Sequence, residues 1–236
     1  MSKSLHAIVV AGLLLFASAA NAGDALDERL AACAACHGAH GEGVSGSEYV
    51  PHLAGKPAGY LFEQLQGFRE GRRVNAQMTW LVQFADDAYL HEIADYYAAL
   101  PARTRAADTG AAELTAARRA TAEQLVQHGD PARTLPACSE CHGSNLAGLE
   151  PGVPALVGLP AEYVIAQFGN WRDGIRKGAA PDCMHEVATR IAPEDIRAIA
   201  VWLSQQSNAD AQRPAAAGSF TPPLACGSLP HAEPAP

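Results

Sequence analysis

Two short segments of the sequence carry residue types that could do chemistry, and they are spaced alike: Cys33-Ala34-Ala35-Cys36-His37 and Cys138-Ser139-Glu140-Cys141-His142. Two thiols separated by two residues can add across the two vinyl groups of one porphyrin. The histidine that follows then lies under the iron as its proximal ligand. C-x-x-C-H is therefore read as an attachment site for a c-type haem, and the chain as carrying two covalently bound haems. Two other chemistries share the spacing. A thioredoxin-like redox pair needs a strand–helix–strand context, which neither segment has. A zinc site needs two cysteine pairs converging on one metal.

A haem held by histidine alone is open on its far side. Beyond the initiating residue the chain has two methionines, Met78 and Met184, which follow His37 and His142 by 41 and 42 residues. One methionine per haem at nearly equal distance points to the sixth iron ligand rather than to gap-filling in a core. A soft thioether favours reduced iron and raises the potential, which suits electron transfer. Cys183 and His185 flank Met184 and are rival ligands for the second iron. Apart from His6 near the N-terminus, the remaining histidines, His40, His52, His91, His128 and His231, show no ligand-like pattern.

These donors must be positioned twice by the same machinery, and the chain is an internal repeat. Pro51-His52-Leu53-Ala54-Gly55 matches Pro154-Ala155-Leu156-Val157-Gly158 at an offset of 103. At that offset Tyr60 meets Tyr163, Gln64 meets Gln167, Phe68 meets Trp171 and Arg69 meets Arg172. Ile93 to Tyr97 meets Ile199 to Leu203 at offset 106. Insertions of a few residues belong in loops.

Each half reads as helix, haem motif, loop, helix, ligand loop, helix. Leu26 to Ala35 runs into the first motif, and Ala58 to Arg69 has Tyr60, Leu61, Leu65 and Phe68 at helical spacing. The segment from there to Met78 is polar and reads as a loop. Asp86 and Asp87 cap a helix that stops at Pro101, and Pro193 opens its counterpart in the second half. Thr115 to His128 is also helical, after a linker of small residues at 104–112. The expected architecture is all-α, with domains at 23–105 and 106–206 and an extended Ala- and Pro-rich tail at 207–236.

Lys3, the apolar stretch Ile8 to Ala17 and Ala20-Asn21-Ala22 read as an export signal cleaved after Ala22. A membrane anchor is the alternative, but the stretch is short against the roughly 20 apolar residues a spanning helix needs. The formal net charge of −8 becomes −9 without the signal, shared as −4 and −5 between residues 23–105 and 106–236. An acidic surface argues against nucleic acid or anionic membrane as the main partner, and favours a partner with a basic face.

The haem motifs, the Pro-x-Leu-x-Gly segments, the Tyr-x-x-x-Gln helices with aromatic-Arg ends and the two methionines together resemble tandem class I cytochrome c domains. The resemblance is specifically to the cytochrome c4 family, and covers most of residues 24–206. It implies that each domain wraps around one haem, with the two haems near the domain interface. The carbonyls of Pro51 and Pro154 would accept hydrogen bonds from the proximal imidazoles, and Leu53 and Leu156 would pack on the porphyrins. The chain departs from a plain member at Cys183 and Cys226. These are expected to staple the tail over the second ligand loop, the alternative being a reactive thiol beside the iron. The resemblance implies a periplasmic carrier, at most peripheral at the membrane and not integral to it. It would take electrons from a quinol-oxidising complex or dehydrogenase and pass them to a terminal oxidase. A dihaem electron-accepting subunit of a dehydrogenase is a second reading. A haem enzyme resembling thiosulfate dehydrogenases, with Cys183 on the iron, is a third. Nucleic acid is not an expected partner.

Overall fold

The computed structural model describes residues 21–44, 47, 49–102, 113–206 and 213–229. Most of the expected signal peptide, the linker at 104–112 and residues 207–212 and 230–236 of the tail lie outside the described residues. Among those described there are nine α-helices, one short 3-10 turn and no strand. The first half supplies α1 (Asn21–His37), α2 (Ala58–Arg69), α3 (Ala76–Val82) and α4 (Asp87–Ala99). The second supplies α5 (Ala116–His128), α6 (Cys138–His142), α7 (Ala161–Arg172), α8 (Cys183–Arg190) and α9 (Pro193–Ser204). No described helix is long and apolar enough to cross a membrane.

The helices that frame each half follow from their periodicity and caps. On α4 the Asp86 carboxylate accepts from the Tyr89 N–H at 2.8 Å, and Leu90, Ile93, Ala94 and Tyr97 turn inward. They close on Leu61 and Phe68 of α2 and Leu30 of α1 to form the first core. In the second half α9 starts with Pro193 in its first turn, where a missing N–H costs nothing. Its Ile199 and Leu203 pack with Val126 of α5 and Val164 and Phe168 of α7.

Two features differ from the sequence expectation. The polar segment reaching Met78 does not stay a loop. It turns into α3, because Asn75 Oδ1 caps the Met78 N–H at 3.0 Å. Also, the two haem motifs are not built alike. Cys33 to His37 is the end of the continuous helix α1, whereas α5 stops at Gly129 and the second motif sits on its own five-residue helix α6. Gly129 has φ +67°, a conformation that costs glycine no Cβ clash, and Pro131 and Pro136 then prevent the helix from resuming.

The halves meet along the segments that follow α2 and α7. The Val74 N–H donates to the Ile175 carbonyl at 2.9 Å, and the Lys177 N–H to the Arg72 carbonyl at 2.7 Å. At the start of α2, the Tyr60 N–H donates to the Pro151 carbonyl of the other half at 3.0 Å. A Cβ on Gly59 would lie 2.7 Å from that oxygen, so this close approach requires glycine.

The described part of the tail folds back onto the second half rather than extending away. The Glu150 N–H donates to the Ala215 carbonyl at 2.8 Å and the Gly227 N–H to the Pro181 carbonyl at 2.9 Å. Cys183 and Cys226 form a disulfide that closes 43 residues. Chain-entropy reasoning gives such a closure about 4 kcal/mol. Replacing both cysteines by serine should therefore lower the denaturant stability of the second half by about that amount, with both haems still attached. An unchanged unfolding midpoint would show that the tail is held by its other contacts.

Candidate haem sites

Each proximal histidine is presented by a loop that returns to its own helix end. The Gly43 N–H donates to the His37 carbonyl at 2.7 Å, and the Gly148 N–H to the His142 carbonyl at 2.8 Å. The chain then brings a proline carbonyl onto the ring. His37 Nδ1 lies 2.9 Å from the Pro51 oxygen and His142 Nδ1 lies 2.8 Å from the Pro154 oxygen. Since a carbonyl can only accept, Nδ1 carries the proton in both rings and the Nε2 lone pair is left for a metal. Burial pushes both imidazoles below their ordinary pKa, His142 to about 4, so they stay neutral, as a metal ligand must.

The four motif cysteines are outside any disulfide. Burial raises Cys33, and pushes Cys138 up to about 12 and Cys141 up to about 11. A thioredoxin-like pair works through a thiol of depressed pKa, which is the opposite shift. Among the described residues no three His, Cys, Asp or Glu side chains cluster as a metal site, so the zinc reading has no geometry behind it.

Met78 and Met184 both lie in the first turn of a short helix, α3 and α8. Asn75 caps the first, and Asp182 caps the second through the His185 N–H at 3.1 Å. The matched arginines at the ends of α2 and α7 fasten these helices. Arg69 donates to the Ala85 carbonyl at 2.8 Å, and Arg172 to the Ile191 carbonyl at 2.7 Å. Cys138, Cys141, His142, Leu156 and Met184 line one cavity, walled by Val164, Phe168, Ile199 and Leu203. In the first half Cys33, Leu53 and Met78 pack against one core.

These residues fit a covalent haem. In the second half two thiols and a neutral imidazole lie with a thioether around a cavity with apolar walls, which is what a flat iron porphyrin needs. Cys33, Cys36, Cys138 and Cys141 would hold the macrocycle, and His37, His142, Met78 and Met184 would supply its iron ligands. Of the rivals of Met184, Cys183 is in the disulfide, and His185 is exposed and does not line the cavity that Met184 lines. Sequence reasoning missed Lys56, Arg73 and Arg176, which lie between the halves. The signal was present, because Arg73 and Arg176 obey the same offset of 103 as the helices they follow.

The family model for cytochrome c matches residues 21–117. The chain is 38% identical over 204 residues to a thiosulfate dehydrogenase electron acceptor from Thiomonas intermedia (strain K12), covering 86% of this chain and 91% of that protein. It is 32% identical over 206 residues to cytochrome c4 from Pseudomonas aeruginosa, covering 86% and 98%. In structure it is similar to reduced recombinant cytochrome c4 from Pseudomonas stutzeri, with TM-score 0.65 and 29% identity over 77% of this chain and 97% of that one.

Proposed function

The chain belongs to the cytochrome c4 family of dihaem electron-transfer cytochromes, and from that premise we propose that it is a periplasmic shuttle, reduced by a dehydrogenase or quinol-oxidising complex and reoxidised by a terminal oxidase. The observation that carries this reading is that each half repeats a neutral imidazole oriented by a proline carbonyl and a methionine in the first turn of a short helix, while Cys183 is held in a disulfide away from thiolate chemistry. Each bound haem supplies one-electron iron chemistry, so one chain takes up two electrons. The protein's own residues keep the imidazoles neutral and correctly protonated. They also place the thioethers and leave no open position for a small substrate. Of the two classes of donor, a dehydrogenase is favoured by the 38% identical relative, whose name makes it the electron acceptor of such an enzyme.

Two properties of the surface bear on partners. One is the net charge of −8 in the full chain. The other is the exposed apolar group Trp80, Leu81 and Phe84, on and just after the helix that carries Met78. Charge steering is screened over about 8–10 Å at ordinary ionic strength. Electron exchange with a basic partner should therefore slow as salt rises, as stopped-flow reduction would record. A salt-independent rate would assign docking to the apolar group instead. The isolated protein should be reduced reversibly and show no steady turnover of thiosulfate, sulfide or peroxide supplied alone. Sustained thiosulfate oxidation by the isolated chain would overturn the carrier reading.

A further inference from the structure

The two ligand helices present different surfaces at matching positions. At the offset of 106 that relates Met78 to Met184, Trp80 corresponds to Glu186, Leu81 to Val187 and Phe84 to Arg190. In the first half all three side chains meet water: Trp80 is 71% exposed, Leu81 39% and Phe84 93%. Met78 and Val82 of the same helix pack on the first core. The segment is therefore apolar on both sides, whereas a surface helix normally turns polar residues outward. In the second half Val187 packs on the core, and Glu186 and Arg190 form an ion pair at 3.0 Å. Arg190 also donates to the Thr134 carbonyl at 2.6 Å, which ties α8 to the loop before the haem motif.

The second half is covered further. Leu224, Cys226, Ser228 and Leu229 of the tail line the cavity that Cys141 and Met184 line, so the tail forms part of its wall. The disulfide pins that wall beside Met184. A Cβ on Gly152 would lie 2.8 Å from the Ser228 carbonyl oxygen, so the tail sits directly on the backbone there. A partner approaching the second ligand helix meets an ion pair and the tail, and one approaching the first meets indole and phenyl rings. An exposed apolar group marks a contact surface, and Trp is among the residues that most often anchor one. The charge around it selects the partner. Asp86 and Asp87, both exposed, stand just beyond Phe84, and Arg69 pairs with Asp87. Residues 23–105 as a whole carry 7 Lys and Arg against 11 Asp and Glu, a net charge of −4. An apolar centre with an acidic surround is complementary to an apolar patch with a basic rim.

We propose that this chain exchanges electrons with its redox partner through the first half alone, and that the partner seats an apolar surface edged by lysine or arginine on Trp80, Leu81 and Phe84. This rests on the carrier reading above and adds which half is the port. Charge draws the partner in, and the apolar contact seats it against the helix that carries Met78. Each encounter moves one electron, which one protein loses and the other gains, with no bond made or broken. Electrons held in the second half reach the partner by way of the first.

The test follows stopped-flow oxidation of the reduced two-haem chain by cobalt(III) tris-phenanthroline, a cation with an apolar surface. Trp80→Ser combined with Phe84→Ser should slow the loss of both electrons roughly fivefold, while both Met–iron bands persist. Reduction of the same variant by hexaammineruthenium(II), a polar cation, should keep its rate, because the haems themselves are unaltered. Glu186→Gln, at the position matching Trp80, should leave both rates as they are. A cobalt rate unchanged in the Trp80→Ser, Phe84→Ser chain, or slowed as much by Glu186→Gln, would overturn the proposal. The carrier reading would survive that result if two electrons are still taken up reversibly, and would fall with the proposal if they are not. In sedimentation the unaltered chain should be a monomer. A dimer that is lost in the Trp80→Ser, Phe84→Ser chain would overturn the proposal and assign the face to a second copy.

Discussion

Met78→Ala and Met184→Ala should each abolish the weak long-wavelength band of Met-to-iron coordination at one haem and leave the other haem unchanged. The thioether is the softer of the two axial donors, and its preference for ferrous iron is what holds the potential up. Losing it should lower that haem's potential by a sizeable part of the roughly 0.8 V over which axial ligands act. The fold should survive, because α3 and α8 are capped by Asn75 and Asp182 and tied by Arg69 and Arg172, none of which touches the sulfur as its partner. Near-infrared spectra with a redox titration check both effects. An unchanged spectrum in Met184→Ala would mean that another residue ligates the second iron.

Replacing Cys138 and Cys141 together by alanine should produce a chain one haem lighter by intact mass, with its second half unfolded and its first half intact. The second haem would pack against Leu156, Val164, Phe168, Ile199 and Leu203, all of which line its cavity. Burial of one such side chain stabilises by about 1.5–3 kcal/mol. Five of them contribute on the order of 10 kcal/mol, comparable with the entire stability of a typical domain, about 5–15 kcal/mol. Helix content should fall by the share of α5 to α9, while the Met78 band persists. A fully helical one-haem chain would show that the apolar residues close up without the macrocycle.

The candidate donor set stands out in the sequence because covalent attachment would fix its spacing: two thiols and an imidazole within five residues leave little freedom. The framing helices were legible too. α2 runs over Ala58–Arg69, the span that Tyr60, Leu61, Leu65 and Phe68 mark out by period, and Asp86 caps α4 as expected. The ligand helices were not. α3 has seven residues and α8 eight, too short for a period to register, and they are fixed by arginines from α2 and α7. The break between α5 and α6 has its own marks in Gly129, Pro131 and Pro136. The repeat masked them by suggesting that both halves enter their haem motifs alike. The interface cluster was hidden for a different reason. Gln64, Arg73, Gln167 and Arg176 are polar and read singly as solvent-facing. Only contacts spanning 94 and 112 residues bring them together.

As proposed above, this chain holds two six-coordinate haems and acts by changing redox state. An anaerobic redox titration followed from the visible to the near-infrared tests it most directly. It should show two electrons taken up per chain, with Met–iron bands from both ferric haems and no high-spin signal. A chain that accepts one electron, or whose second haem is high-spin or thiolate-ligated, would contradict the account.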